Sequence, residues 1–151
     1  MKIHTIRPNS LYISGRPDKP REEKLHELRI LGVQVVVNLI KPTTKHPDVI
    51  DADLAKEMLY IHCPTVDGKN TDFSLIESYV TKVVRMMKAG AVVLVHCALG
   101  RNRSGLFCAR LLMETEGLSG EQAIAEIRRC RPGALQTPAG VEYLRNMTKA
   151  L

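Results

Sequence analysis

The stretch His96-Cys97-Ala98-Leu99-Gly100-Arg101-Asn102-Arg103-Ser104-Gly105 brings a thiol, two arginines, two glycines and a serine hydroxyl into ten residues. It follows the apolar run Ala91 to Val95. Two readings are open for such a segment. One is an anion-holding loop around a reactive thiolate, and the other is an ordinary strand-to-helix turn with a buried thiol. The anion reading uses every residue. Gly100 permits backbone angles that a tight wrap needs. Successive backbone N–H groups can then converge on one anion, helped by the positive end of a helix starting near Ser104. Arg103 offers a planar fork to two oxygens, which a lysine cannot copy. The same field lowers the pKa of Cys97 from the free-thiol value of about 8.5. Ser104 is placed to donate to the thiolate or to assist its departure. For Cys63, Cys108 and Cys130 the bland reading, a small buried hydrophobe, is preferred.

The elements that must position this loop are legible from periodicity. The chain has 151 residues, the size of one domain, so residues 1–151 are expected to form a single unit. With 44% hydrophobic and 25% charged residues it should fold as a globule. The net charge of +6 favours anionic partners without choosing among nucleic acid, membrane surface and phosphorylated substrates. The basic residues are dispersed, which argues against a nucleic-acid arm. The first residues, MKIHTIRPNS, carry no signal-peptide-like apolar stretch, and Ala91 to Val95 is too short to cross a bilayer. Four cysteines without a CxxC pair argue against zinc binding and a disulfide framework. A reducing, cytoplasmic setting without membrane insertion is therefore expected.

Leu11 to Ile13 reads as a short strand. Leu25, Leu28 and Leu31 follow Pro20 at helical spacing and end at Gly32. Val33 to Ile40 is an interior strand by its β-branched content. A second helix is expected from Pro47 to Met58, a strand over Leu59 to His62, and a turn from Pro64 to Asn70. Phe73, Ile76, Val80, Val83, Val84 and Met87 mark the clearest helix, stopped by Gly90. Ala91 to His96 is a continuous apolar strand suited to the centre of a parallel sheet. Helices are expected from Ser104 to Glu116, from the capping box at Ser119 to Arg129, and from Thr137-Pro138 onward. The alternation of strands and helices predicts one layered α/β domain. Cys97 then lies at the carboxyl end of the most buried strand, where ligand sites of such sheets collect.

His96-Cys97, five residues, and Arg103-Ser104 together resemble the signature loop of the cysteine-dependent protein tyrosine phosphatases, in particular the compact dual-specificity branch. The order of elements is similar from Asn9 to Leu144, although only the loop is specific. The resemblance implies a central, mostly parallel sheet flanked by helices on both faces. It implies that Cys97 attacks phosphorus, that the backbone of Ala98, Leu99, Gly100, Arg101, Asn102 and Arg103 with the Arg103 side chain holds the phosphoryl oxygens, and that Ser104 assists the leaving thiolate. A phosphocysteine forms and is hydrolysed, with no metal or other cofactor. His96 is expected beneath the loop, bracing it by hydrogen bonds.

The family also places an aspartate some thirty residues before the cysteine to protonate the leaving oxygen. Asp67, in Cys63-Pro64-Thr65-Val66-Asp67-Gly68, fits that place, and Asp72 is the competitor, since an aspartate just before Phe73 is also an ordinary helix N-cap. Gln136-Thr137 is similar to the start of the glutamine motif that positions water in tyrosine-specific members. The motif's second glutamine would fall at Gly140 and is absent. Arg131 is either a structural or rim cation or a solvated charge. Tyr12 to Pro17 resembles a scaffold segment that brings Arg16 to the rim.

The resemblance makes a phosphorylated protein the expected substrate, with phosphotyrosine first and phosphoserine or phosphothreonine admitted by a shallow pocket. Arg101 resembles a basic position of lipid-directed relatives, and Asn102 one of RNA triphosphate-directed relatives. Phosphoinositides and RNA 5′ ends therefore stand as alternatives. From other classes, a non-catalytic phosphate-binding module and a rhodanese-type sulfur-transfer enzyme are the competitors. The five-residue gap, Asp67 and Ser104 speak against the latter.

Overall fold

Strand β5 (Val93–His96) runs between β2 (Leu11–Ser14) and β3 (Val35–Ile40), parallel to both, and all three are buried along their whole length. The computed structural model describes residues 2–147. It adds β1 (Ile3–Arg7), antiparallel to β2, and β4 (Leu59–Thr65), parallel to β3, giving a five-stranded sheet of order β1-β2-β5-β3-β4. Helices cover both faces. α1 (Arg21–Ile30) and α2 (Ala52–Glu57) lie on one, and α3 (Phe73–Lys88), α4 (Arg103–Glu116), α5 (Gly120–Cys130) and α6 (Pro138–Asn146) on the other.

Burial on both faces explains why β3 and β5 read as unbroken apolar runs. Along β3, Val36 packs with Leu25, Leu28 and Leu54 under α1 and α2, while Val35, Val37 and Leu39 face the larger core with Ile76, Val80 and Phe107. Along β5, Leu94 joins the first core, and Val93 and Val95 the second. Each fully buried Leu, Ile or Phe of these layers stabilises the fold by about 1.5–3 kcal/mol. α4 is buried from Ser104 to Met113. Its one buried charge, Arg110, is held by both carboxylate oxygens of Glu77 at 2.8 Å and by Glu114 at 2.7 Å.

Several boundaries depart from the sequence expectations, β3 and β5 among them, which begin at Val35 and Val93 rather than Val33 and Ala91. β1 carries no alternating apolar signal, because only Ile6 is buried along this edge strand. α2 opens at Ala52 rather than Pro47, because Asp51 caps it by accepting the N–H groups of Asp53 and Leu54. β4 continues through Pro64 to Thr65 where a turn was expected. Proline is tolerated because β4 is an edge strand, and the register slips beside it, with Asn38 opposite His62 but Ile40 opposite Thr65. α4 begins at Arg103, one residue before Ser104.

α5 starts hard against the end of α6. A Cβ on Gly120 would lie 1.8 Å from the Leu144 carbonyl oxygen, whereas one on Gly140 would meet nothing within 4 Å. Gly120→Ala is therefore expected to lose about 1–3 kcal/mol of unfolding free energy through overpacking, and Gly140→Ala to lose none. Urea unfolding of both variants checks this.

Candidate active site

The chain leaves the sheet at His96, which is paired with Ser14 of β2 and Asn38 of β3. The following loop presses on the end of β2. Gly100 has φ +69°, and a Cβ there would sit 2.5 Å from the Ser14 carbonyl carbon and 2.6 Å from the Gly15 nitrogen, so only glycine fits. The loop carbonyls are bonded by donors outside it. Arg16 N–H donates to Ala98 O at 3.0 Å, Arg131 Nη2 to Leu99 O at 3.3 Å, Arg131 Nε to Gly100 O at 3.0 Å, and Leu135 N–H to Arg101 O at 3.2 Å. A trans peptide points its C=O and the next N–H in opposite directions. Four carbonyls bonded on the outside thus turn the N–H groups of residues 99 to 102 inward, forming an anion nest. The Gly100 N–H accordingly donates to Cys97 Sγ at 3.3 Å.

Cys97 is 3% exposed. Burial pushes its thiol pKa up. The Ser104 hydroxyl, 3.2 Å from Sγ, the Ser104 and Arg101 N–H groups and the charge of Arg103 push it down by more, so the net shift is below the ordinary thiol value. Cys63, Cys108 and Cys130 all shift the other way, chiefly through burial. His96 lies beneath the loop, 1% exposed, with burial holding its pKa down to about 4 and leaving it neutral. Its Nδ1 faces Cys97 O at 3.4 Å, and its Nε2 has no partner among the described residues, so the brace expected of it is made at one nitrogen.

Arg103 Nη1 donates to Thr65 O at 3.1 Å, at the end of the slipped edge strand. Just beyond, Asp67 is exposed and lines a cavity with Arg103, Asn102, Thr137 and Leu135. Its Oδ2 accepts from Asn102 Nδ2 at 3.3 Å and its Oδ1 from Thr137 Oγ1 at 3.1 Å. Asp72 is spent elsewhere: it caps α3, accepting Leu75 N–H at 3.1 Å, and is absent from the residues lining that cavity. Gln136 is exposed, and its backbone N–H donates to Asn102 Oδ1 at 2.7 Å.

Several residues have more definite places than their sequence context indicates. Arg131 is a brace of the 97–103 loop rather than a solvated charge. Thr137, which reads as a helix start before Pro138 and as part of the Gln136-Thr137 motif, holds Asp67. Thr71 ties the Asp67 loop to itself, its Oγ1 donating to Val66 O at 2.8 Å and Gly68 O at 2.6 Å. On the far side of Arg103, Arg16, Lys41, Thr43 and His46 line a second cleft over Ile40 and Val49. No group of three or more His, Cys, Asp or Glu among the described residues is arranged to hold a metal.

Only the thiolate is alkylated at an appreciable rate, so a lowered pKa brings iodoacetate reaction to its plateau at lower pH. The half-maximal pH at Cys97 is expected below the free-thiol value of about 8.5 and should rise in Ser104→Ala. A free-thiol profile that Ser104→Ala leaves unmoved would contradict this electrostatic picture.

The family model "Dual specificity phosphatase, catalytic domain" matches residues 11–149. Dual specificity protein phosphatase 1 of Arabidopsis thaliana is 22% identical over 150 residues, covering 99% of this chain and 71% of that protein. The RNA/RNP complex-1-interacting phosphatase of Rattus norvegicus is 30% identical over 101 residues, 64% of this chain but 30% of the relative's length. The crystal structure of Tk-PTP in its active form superposes with a TM-score of 0.78 at 24% identity, covering 97% of both chains. A match across most of the chain, together with the shared fold, places this protein in the dual specificity phosphatase catalytic-domain family, among the cysteine-based phosphatases.

Proposed function

We propose that this chain is a protein phosphatase that hydrolyses phosphotyrosine, and phosphoserine or phosphothreonine as well, through a phosphocysteine on Cys97. The observation that carries this reading is the Cys97 sulfur, with a lowered pKa, held by the Gly100 N–H and the Ser104 hydroxyl inside a nest of inward N–H groups. In the first step Sγ attacks phosphorus and the bond to the ester oxygen breaks. The inward N–H groups of the 97–103 loop and the Arg103 guanidinium hold the three remaining oxygens, where charge spreads in the transition state. Asp67 gives its proton to the leaving oxygen. In the second step water attacks phosphorus, Asp67 takes its proton back, and the thiolate leaves with the Ser104 hydroxyl donating to it. Gln136 orients that water. Asp72, as a helix cap, takes no part. None of these steps calls for a metal or other cofactor.

Residues 1–151 act in this reading as one phosphatase domain in the reducing cytoplasm, where a working thiol is maintained. The four free cysteines fit that setting, and no helix among the described residues is long and apolar enough to cross a membrane. Because the Asn102 carboxamide is already bonded to three protein groups, the loop feature that suggested RNA 5′ ends has a different use. A second reading, a phosphoinositide headgroup as substrate, is favoured by one observation: Arg16, Lys41 and His46 line the cleft beside Arg103 with no carboxylate among its lining residues.

With EDTA present, the parent should hydrolyse p-nitrophenyl phosphate and Cys97→Ser should not. Asp67→Ala should lose about 10²–10⁴-fold in kcat on poor leaving groups, while Asp72→Ala keeps kcat and loses only helix stability. Metal-dependent turnover, or a loss confined to Asp72→Ala, would overturn the mechanism. Phosphotyrosine peptides hydrolysed faster than phosphoinositide vesicles support the protein reading, and the reverse order supports the lipid one.

A further inference from the structure

Asn102 stands at the N-cap of α4, where an asparagine ordinarily accepts a bond from its own helix. Its side chain makes no such bond. Both ends of the carboxamide are directed at other loops instead. Nδ2 donates to Asp67 Oδ2 at 3.3 Å, and Oδ1 accepts the N–H groups of Gln136 at 2.7 Å and Thr137 at 3.2 Å. Thr137 closes the ring by donating its Oγ1 to Asp67 Oδ1 at 3.1 Å. Each oxygen of Asp67 is thus held by a donor that belongs to a different loop, and Asn102 joins all three loops at one point.

We propose that Asn102 and Thr137 form a latch that holds Asp67 at the cavity it lines with Arg103 before substrate arrives. This makes them positioning residues for proton delivery, and it rests on the reading of Asp67 as the general acid. The Asp67 loop needs such a tie. Val66, Asp67, Lys69 and Asn70 are exposed, Gly68 has φ +106°, and the bonds of the segment are otherwise largely internal, through Thr71. An exposed loop without outside bonds samples many positions, and only those that place the carboxyl near the leaving oxygen react. The two donors also differ in kind. A carboxamide N–H can only donate, so Asp67 Oδ2 stays an acceptor, whereas the Thr137 hydroxyl can donate to a carboxylate or accept from a carboxylic acid. The Asn102 bond to Oδ2 is therefore kept in both protonation states, while the exchangeable Thr137 bond leaves Oδ1 able to pass its proton to the leaving oxygen.

Thr137→Val tests this most cleanly. It removes the hydroxyl, keeps the shape, and keeps the backbone N–H bonded to Asn102. The readout is kcat/KM on aryl phosphates with good and poor leaving groups, which reports only the first step, measured beside Asn102→Ala and Asp67→Ala. In that step a misplaced acid penalises only the poor leaving groups. The ratio of kcat/KM on good to poor leaving groups is expected to rise about 10-fold in Thr137→Val and up to about 100-fold in Asn102→Ala, toward the ratio of Asp67→Ala. The pH profile of Cys97 alkylation should not move in Thr137→Val. An unchanged ratio in both variants, or a uniform loss accompanied by a shifted alkylation profile, overturns the latch. If Asp67→Ala itself leaves the ratio unchanged, the acid assignment fails and the latch falls with it. That outcome is distinct from one in which Asp67→Ala raises the ratio and the latch variants do not.

Discussion

Burying the sulfur of Cys97 raises the energy of its ionised form, and an unbonded thiolate at 3% exposure would not form near neutral pH. The structure offsets this with the Gly100 N–H, the Ser104 hydroxyl, the Ser104 and Arg101 N–H groups and the charge of Arg103. The Gly100 and Arg101 N–H groups among them face inward because the carbonyls of residues 98 to 101 are bonded outward, to Arg16, Arg131 and Leu135. The nest therefore depends on groups that never face the anion.

The remainder of the fold can be understood as the means of holding that loop. The buried strands β2, β3 and β5 fix its start, with His96 level with Ser14 and Asn38. α4 fixes its end. That helix is buried from Ser104 to Met113 and anchored by the Arg110–Glu77 pair. The edge strand β4 is only partly buried. Its register slip at Pro64 turns the chain so that Thr65 O meets Arg103 and Asp67 reaches the cavity. The nest and the Asp67 loop are thereby joined through Arg103 and Asn102.

The central part of this arrangement is legible in the sequence because it depends on residue types at fixed short separations. Cys97, Gly100, Arg103 and Ser104 lie within one short stretch from the end of β5 into the start of α4, and the apolar run before them announces a strand buried on both faces. The long-range partners are not legible in that way. Arg131 reaches back 31 residues to Gly100 O, and Thr137 reaches 70 residues to Asp67. Neither contact leaves a local pattern, and Thr137 is masked by its adjacency to Pro138. β1 is missed for a different reason: an edge strand with one buried side chain carries no alternation. Asp72 is the converse case. Its candidacy and its capping role are both visible in the sequence, and the structure shows the cap, with the Leu75 N–H donating to its carboxylate.

The central claim is that phosphorus passes through Cys97 rather than directly to water. The stereochemical course at phosphorus tests this most directly, using an aryl phosphorothioate made chiral with two oxygen isotopes and hydrolysed in water carrying the third. Two in-line displacements, first by Cys97 and then by water, predict overall retention of configuration. Inversion would mean a single attack by water, with Cys97 reduced to part of an anion-binding site, and would contradict the account.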